Sequence, residues 1–351
     1  MLANITHVLP LATIRRERVL PVSGKVVVRK GQKVSANDTV AEGDLNPEHL
    51  LLDVARGLGL SPQAADENIQ VGVGDLLAEG DVIAGPVGIT RRVVRAPKHG
   101  RVMLAGDGHV LLAIQNQPFE LKAGVSGIVL DLIGERGALI ETTGTLIQGI
   151  WGNGKIDFGL LYVLAKKTDQ VLQSAEIDVS MRGSIVLGGY CSDPETLKTA
   201  ASLPLRGMIL GGMDPNLIPL ANRLPFPLIV ISCFNPHGMD QVAYKLLSTN
   251  ERREVTLNAE AWDTYAGTRP EIIIQLPTTG EPPLPRNIDT YRTEQQVRVI
   301  RAPYTGMTGQ IASLDPGVFV FPNGLRAKAA EIRLENGETV TLPLANLEVI
   351  E

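Results

Sequence analysis

The chain has 351 residues, enough for two or three domains, and its 44% hydrophobic and 20% charged residues are ordinary usage for a folded soluble protein. A net charge of −5 gives no overall pull toward nucleic acid or an anionic membrane, and two cysteines make neither a disulfide framework nor a zinc site. No apolar run approaches the ~20 residues of a membrane span, and Met1–Pro10 lacks a basic stretch followed by an apolar core, so the chain reads as cytoplasmic with no membrane contact.

Gly (36) and Pro (23) are abundant while aromatics are scarce, which predicts many turns and much β structure. In residues 1–150 three segments share one pattern, a strand, a turn ending in Gly, then another strand. They are Val19–Val28 with Gly24, Val94–Leu104 with Gly100, and Leu121–Leu130 with Gly127. Val71–Ala84 adds a repeated Gly-Asp turn. Between them, Asn46-Pro47 opens an expected helix over Glu48–Arg56 that stops at Gly57.

The turn grammar of residues 15–45 and 70–130 resembles the barrel-sandwich hybrid of biotinyl and lipoyl carrier domains and their non-acylated relatives. Carriers of that type present a modifiable Lys in a Met-Lys-Met hairpin, and this chain has none, so covalent cofactor carriage is rejected and no cofactor is expected. Basic residues cluster in the turns: Arg15, Arg16, Arg18, Lys25, Arg29, Lys30 and Lys33, then Arg91, Arg92, Arg95, Lys98 and Arg101. The second run is the candidate nucleic-acid face. The bland alternative is a set of water-facing strand residues, since acidic residues nearly balance the basic ones over 1–125.

Gly149-Ile-Trp-Gly-Asn-Gly154 lacks the Gly-Lys-Ser/Thr ending of a phosphate loop and reads as a structural turn. From Ser184 to Leu247 one unit is stated three times: an apolar strand, a small-residue loop, then Asp-Pro or Asn-Pro opening a helix. The strands are Ser184–Leu187, Gly207–Leu210 and Leu228–Ile231, and the helix starts are Asp193-Pro194, Asp214-Pro215 and Asn235-Pro236. Continuous apolar runs alternating with helices indicate parallel strands buried on both faces, hence a three-layer α/β domain over 151–276. Ligands bind such sheets at the carboxyl ends of the strands. The candidate ligand-binding residues are therefore Gly188, Gly189, Asp193, Gly211, Gly212, Asp214, Ser232 and His237. The cap aspartates repel phosphate and leave a neutral or cationic ligand, a protein partner, or tight turns with no ligand. A Cys233/His237 pair oriented by Asp240 is weighed as a nucleophile and base and set aside, because a cysteine ending a buried strand is commonly packing. No catalytic or metal-binding residue is expected.

Glu254–Asn258 and Glu271–Leu276 read as two further strands, and the four prolines of Pro277–Pro285 as a stiff linker over 277–290. Beyond it, Asn336-Gly337 sets a hairpin, and five short strands within 291–351 predict a small barrel. Val297–Pro303 with Gly306, Gly309 and Ile311 resembles the KOW motif that opens SH3-like barrels in NusG/Spt5 transcription factors and some ribosomal proteins. That resemblance implies contact with RNA, ribosome or polymerase, or a protein-docking barrel. The expected architecture is thus multi-domain β plus α/β: a barrel-sandwich-like β domain, a central α/β domain with parallel strands, and a C-terminal SH3-like barrel. The leading functional expectation is a non-enzymatic binding or scaffold protein that docks partners or forms a homo-oligomer. The alternatives are an accessory factor of transcription or translation, with nucleic acid as partner, and a small-molecule-binding or enzymatic α/β domain.

Overall fold

In the computed structural model, which describes residues 2–45, 48–114, 118–236, 238–263, 265, 267–286 and 289–351, strand dominates. Strands take 46% of the chain and helices 13%, the strands fall into several sheets, and among the described residues no sheet closes into a barrel. No helix among them is long and apolar enough to cross a membrane.

The largest sheet has eleven strands. Its parallel part aligns Ile156–Val163, Ser184–Cys191, Gly207–Met213 and Leu228–Cys233. Helices cover both faces. The helix Pro194–Ser202 and the helical turn Ile218–Ala221 bury Leu197, Ala200 and Ala221 against Val186, Met208 and Val230. On the other side the helix Gln241–Thr249 buries Ala243 and Leu247 against Ile185, Leu187, Ile209 and Ile231. Adjacent residues of one strand thus feed opposite layers, which is why the runs are apolar at every position. The strands also run further than expected. The glycines read as loops, Gly188, Gly189, Gly211 and Gly212, lie inside the strands. Asp193 and Asp214 cap helical turns as read, but the third helix starts at Gln241 with Asp240 as its cap, not at Asn235.

The same sheet continues antiparallel through Glu254–Asn258 and Glu271–Gln275 to the long strand Gly137–Gln148. That strand pairs over its whole length with β2 (Val8–Val19), which forms a sheet edge. Strand β1 (Leu2–Thr6) leaves this neighbourhood to enter a seven-stranded sheet. There it runs parallel to Leu347–Ile350 and antiparallel to Asp289–Thr290. The C-terminal strands therefore share their sheet with the first residues of the chain. Pro277–Pro285 does not hang free: Thr13 N–H and Thr13 Oγ1 donate to the carbonyls of Pro283 (3.1 Å) and Pro282 (2.7 Å).

Residues 48–114 form an inserted module with a core of its own. The expected helix over Glu48–Arg56 is corrected here. Glu48–Asp53 is a strand, paired residue by residue with His109–Ile114, and Asn46-Pro47 lies outside the described residues. Leu50 and Leu52 enter the core while Leu51 faces out. The three consecutive leucines suit either period, and tertiary pairing chose two over 3.6. Helix α1 (Val54–Leu58) follows, capped by Asp53 and stopped by Gly59 at φ 70°.

Candidate functional site

At the carboxyl end of the parallel strands the chain itself takes the space beside the paired glycines. A Cβ on Gly188 would meet Leu172 and Leu210, on Gly189 the Gln170 backbone, on Gly211 Met239, and on Gly212 the carbonyls of Asn235 and Cys233. Asp193 and Asp214 carboxylates accept from the N–H groups of Glu195 and Asn216, and Ser232 Oγ accepts from Asp240 N–H. His237 lies outside the described residues. The turn 303–306 sits on this edge: Gly306 packs on Cys233, and Asn235 Nδ2 donates to Thr305 O at 2.7 Å. Burial pushes the Cys191 thiol up to about 12 and the Cys233 thiol up as well, which disfavours the thiolate that nucleophilic chemistry needs.

The basic run of the inserted module spreads over two sheets. Arg92 and Arg95 lie on Arg92–Arg95 and bond the carbonyls of Leu58 and Gly80, and Arg91 occupies the preceding turn. Lys98 pairs with Glu48 at 2.9 Å, and Arg101 points outward from the Gly100–Gly106 strand. In the C-terminal module Arg298 is buried, paired with Glu348 at 2.7 Å and donating to Ile231 O. Arg269 takes the other Glu348 oxygen at 2.6 Å and donates to Thr6 Oγ1. This Arg–Glu–Arg cluster joins β1, the 228–233 strand, the 259–270 loop and the C-terminal sheet.

A cleft lies elsewhere. It has a volume of about 750 Å³ and lies between β2, β1, the loop 259–270 and Leu284-Pro285, within the size range of ligand pockets. Its arginines are already matched. Arg16 grips Glu271 with Nε and Nη2 at 2.7 and 2.6 Å, and Arg18 pairs with Glu260 at 2.5 Å while its Nε donates to Lys122 O. Gln148 Nε2 donates to Glu271 at 2.9 Å, and the Arg269 guanidinium lies 4.2 Å from the Trp262 ring centroid.

No protein-family model matches this chain, and no curated protein matches it.

What remains unmatched in the cleft among the described residues is His7 Nδ1, the Glu17 carboxylate and backbone. Thr13 sends its N–H away from Gly137–Gln148 to Pro283, and the register is unbroken from Thr13↔Thr143 to Val19↔Gly137. In an antiparallel pair the bonding direction alternates, so the N–H and C=O groups of Arg15 and Glu17 point off the same edge. Arg15, Arg16, Glu17 and Arg18 all line the cleft, which consecutive strand residues do only where a cavity runs along their edge. Arg16 Nη1 covers Arg15 O; among the described residues nothing bonds the N–H groups of Arg15 and Glu17 or the Glu17 carboxylate. Sequence reading singled out Arg15, Arg16 and Arg18 but missed Glu260, Trp262, Arg269 and Glu271, which come from 242 or more positions away. Four consecutive charges inside a strand are a signal of an edge, and that much was readable.

Proposed function

We propose that the chain is a non-enzymatic, cytoplasmic binding and scaffold protein that takes an extended peptide segment of a protein partner into the cleft along β2. The observation that carries this is the uncovered β2 edge at Arg15 and Glu17, beside the point where the chain's own Pro282-Pro283 already bonds Thr13. Strand addition draws its affinity from main-chain hydrogen bonds, and the neighbouring walls give specificity. With Arg16, Arg18 and Arg269 each held by a carboxylate, a phosphate finds no uncompensated charge. A backbone strand needs none. Trp262, Leu284 and Pro285 offer apolar surface to a peptide side chain, and Glu17 a free carboxylate to a basic one.

The same reading takes 1–150 as a barrel-sandwich-hybrid-like domain, 277–290 as a linker, and 291–351 as a KOW-type SH3-like module in its protein-docking role. An accessory role on RNA, ribosome or polymerase has less support, because Arg298 of the KOW-like stretch is committed to Glu348. It requires RNA binding that weakens steeply with salt.

The test is a random peptide library on phage, panned against the wild type and Glu17→Pro. Proline removes the outward N–H of Glu17 without touching a bond to Gly137–Gln148, so the fold survives. Enriched peptides should lose about tenfold or more in affinity for the variant. No enrichment, or equal recovery on both proteins, sinks the proposal.

A further inference from the structure

The inserted module holds a sheet of four strands in the order Glu48–Asp53, His109–Ile114, Gly100–Gly106, Leu76–Leu77. One face packs the module core through Leu50, Leu52, Val102, Val110, Leu112 and Leu77. Among the described residues the other face is exposed on its Glu48–Asp53 and Gly100–Gly106 strands and half-exposed on His109–Ile114. Across its middle the register aligns Leu51 with Leu111 and Leu111 with Leu104, and the irregularity between Val102 and Leu104 turns Met103 outward too. Leu51 is 65% exposed, Leu104 62%, Met103 45% and Leu76 56%. A row of large apolar residues in register on an open sheet face marks an interaction surface rather than scattered surface leucines.

The charges flanking the leucine row identify the occupant. One step along the strands on one side are His49 and, across the Ala113 position, Arg101. One step on the other side are Asp53, its register partner His109 and, in the turn after Gly106, Asp107. One rim therefore carries the positive charge of Arg101, and the other the two carboxylates of Asp53 and Asp107 with His109 between them. A two-fold axis lying along the leucine row turns a second copy over. It sets each leucine against its own counterpart, Arg101 against the copy's Asp107, and His49 against the copy's Asp53. Two sheets packed this way are self-complementary in shape and in charge, which is what an isologous dimer requires.

We infer that the chain forms a two-fold dimer through this face, with Leu51, Leu104 and Leu111 at its centre and Arg101 and Asp107 pairing across it. The surface is separate from the β2 cleft, so two copies present two clefts. A dimer of this kind makes a scaffold bivalent, and linked sites bind a bivalent partner more tightly than either alone.

Sedimentation velocity from about 1 to about 200 micromolar reads the equilibrium. The full-length wild type should move to a dimer over this range. Leu104→Arg, at a side chain that is already exposed, should remain monomeric with an unchanged circular dichroism spectrum. Arg101→Asp should weaken the dimer about tenfold or more, because two like-charge contacts replace two attractive ones. The exchange Arg101→Asp with Asp107→Arg should restore the wild-type constant to within about threefold. The chain already holds Arg91 and Arg252 at positive φ, as Asp107 is, so an arginine is tolerated there. In a second measurement, Leu111→Cys on the axis should cross-link to its copy with a short bismaleimide, against a low background from the buried Cys191 and Cys233. A monomer at every concentration overturns the inference. So does a dimer indifferent to Leu104→Arg, or a charge exchange that fails to restore what Arg101→Asp removed.

Discussion

Glu348 illustrates how much one residue carries here. Burial pushes its carboxyl up, but Arg298 and Arg269, with a hydrogen bond from Thr6, outweigh this and hold it at about 2. The folded value lies below the ordinary 4.5, so the ionised form stabilises the fold above that value and the benefit is lost as pH falls toward 2. The melting temperature of the wild type should therefore drop between about pH 5 and about pH 2, and Glu348→Gln should flatten that part of the curve. The same variant leaves two buried guanidinium groups without their counter-charge, which costs about 3–5 kcal/mol at neutral pH. Chemical denaturation at pH 7 and thermal melts across the acid range measure both effects. A variant as stable as the wild type would show that the cluster is not the joint it looks like. Of the two arginines in the stretch 297–303, Arg298 is turned inward onto Glu348 and Arg301 is exposed.

At the scale of elements, the inserted module should behave as its own cooperative unit. Its core draws only on residues 50–114, and Leu112 lies at its centre with no exposure. Leu112→Ala should cost about 2–5 kcal/mol through lost burial and a residual cavity. Because few apolar contacts tie the module to the large sheet, hydrogen exchange should accelerate over 48–114 and leave the parallel strands of 184–233 protected. Acceleration spread evenly over both would mean that the module and the large sheet unfold together. The β2 edge is the contrasting element. It is flanked by charge rather than covered, a common protection of exposed edges against unwanted pairing. Its free groups stand in a cleft, where only a narrow extended chain reaches them.

For the whole molecule, the path of the chain decides how the parts hold together. Strand β1 lies in the C-terminal sheet and β2 in the large one, with Thr6 and His7 at the crossing. The Arg269–Glu348–Arg298 cluster and the turn 303–306 on Cys233 add further ties between the two sheets. A protease cut within Pro277–Pro285 should therefore leave both fragments bound, eluting together at the mass of the intact chain under native conditions. Separation without denaturant would contradict this. Deleting residues 2–6 should be far more harmful than cutting the linker, because it removes a strand with neighbours on both sides and leaves Leu347–Ile350 exposed.

Local chemistry alone determined the three apolar strands of 184–233, the caps at Asp193 and Asp214, the hairpin at Asn336-Gly337 and the high β content. Each depends on neighbours within a few positions, where propensity, capping and turn geometry act. Tertiary structure decided what those rules leave open. It made Glu48–Asp53 a strand, because His109–Ile114 offered a partner for every residue. It extended the parallel strands through their glycines, because Leu172, Gln170 and Met239 needed the space that a missing Cβ leaves. It placed the first strand beside the last, a pairing across more than 340 residues that no local signal encodes. The cleft belongs to the same class: Arg16 and Arg18 were visible as charges, but Glu271 and Glu260, which neutralise them, meet them only after the long strands coil. The open edge at Arg15 and Glu17 follows from pairing geometry, since which backbone groups stay free depends on which strand arrives on the other side.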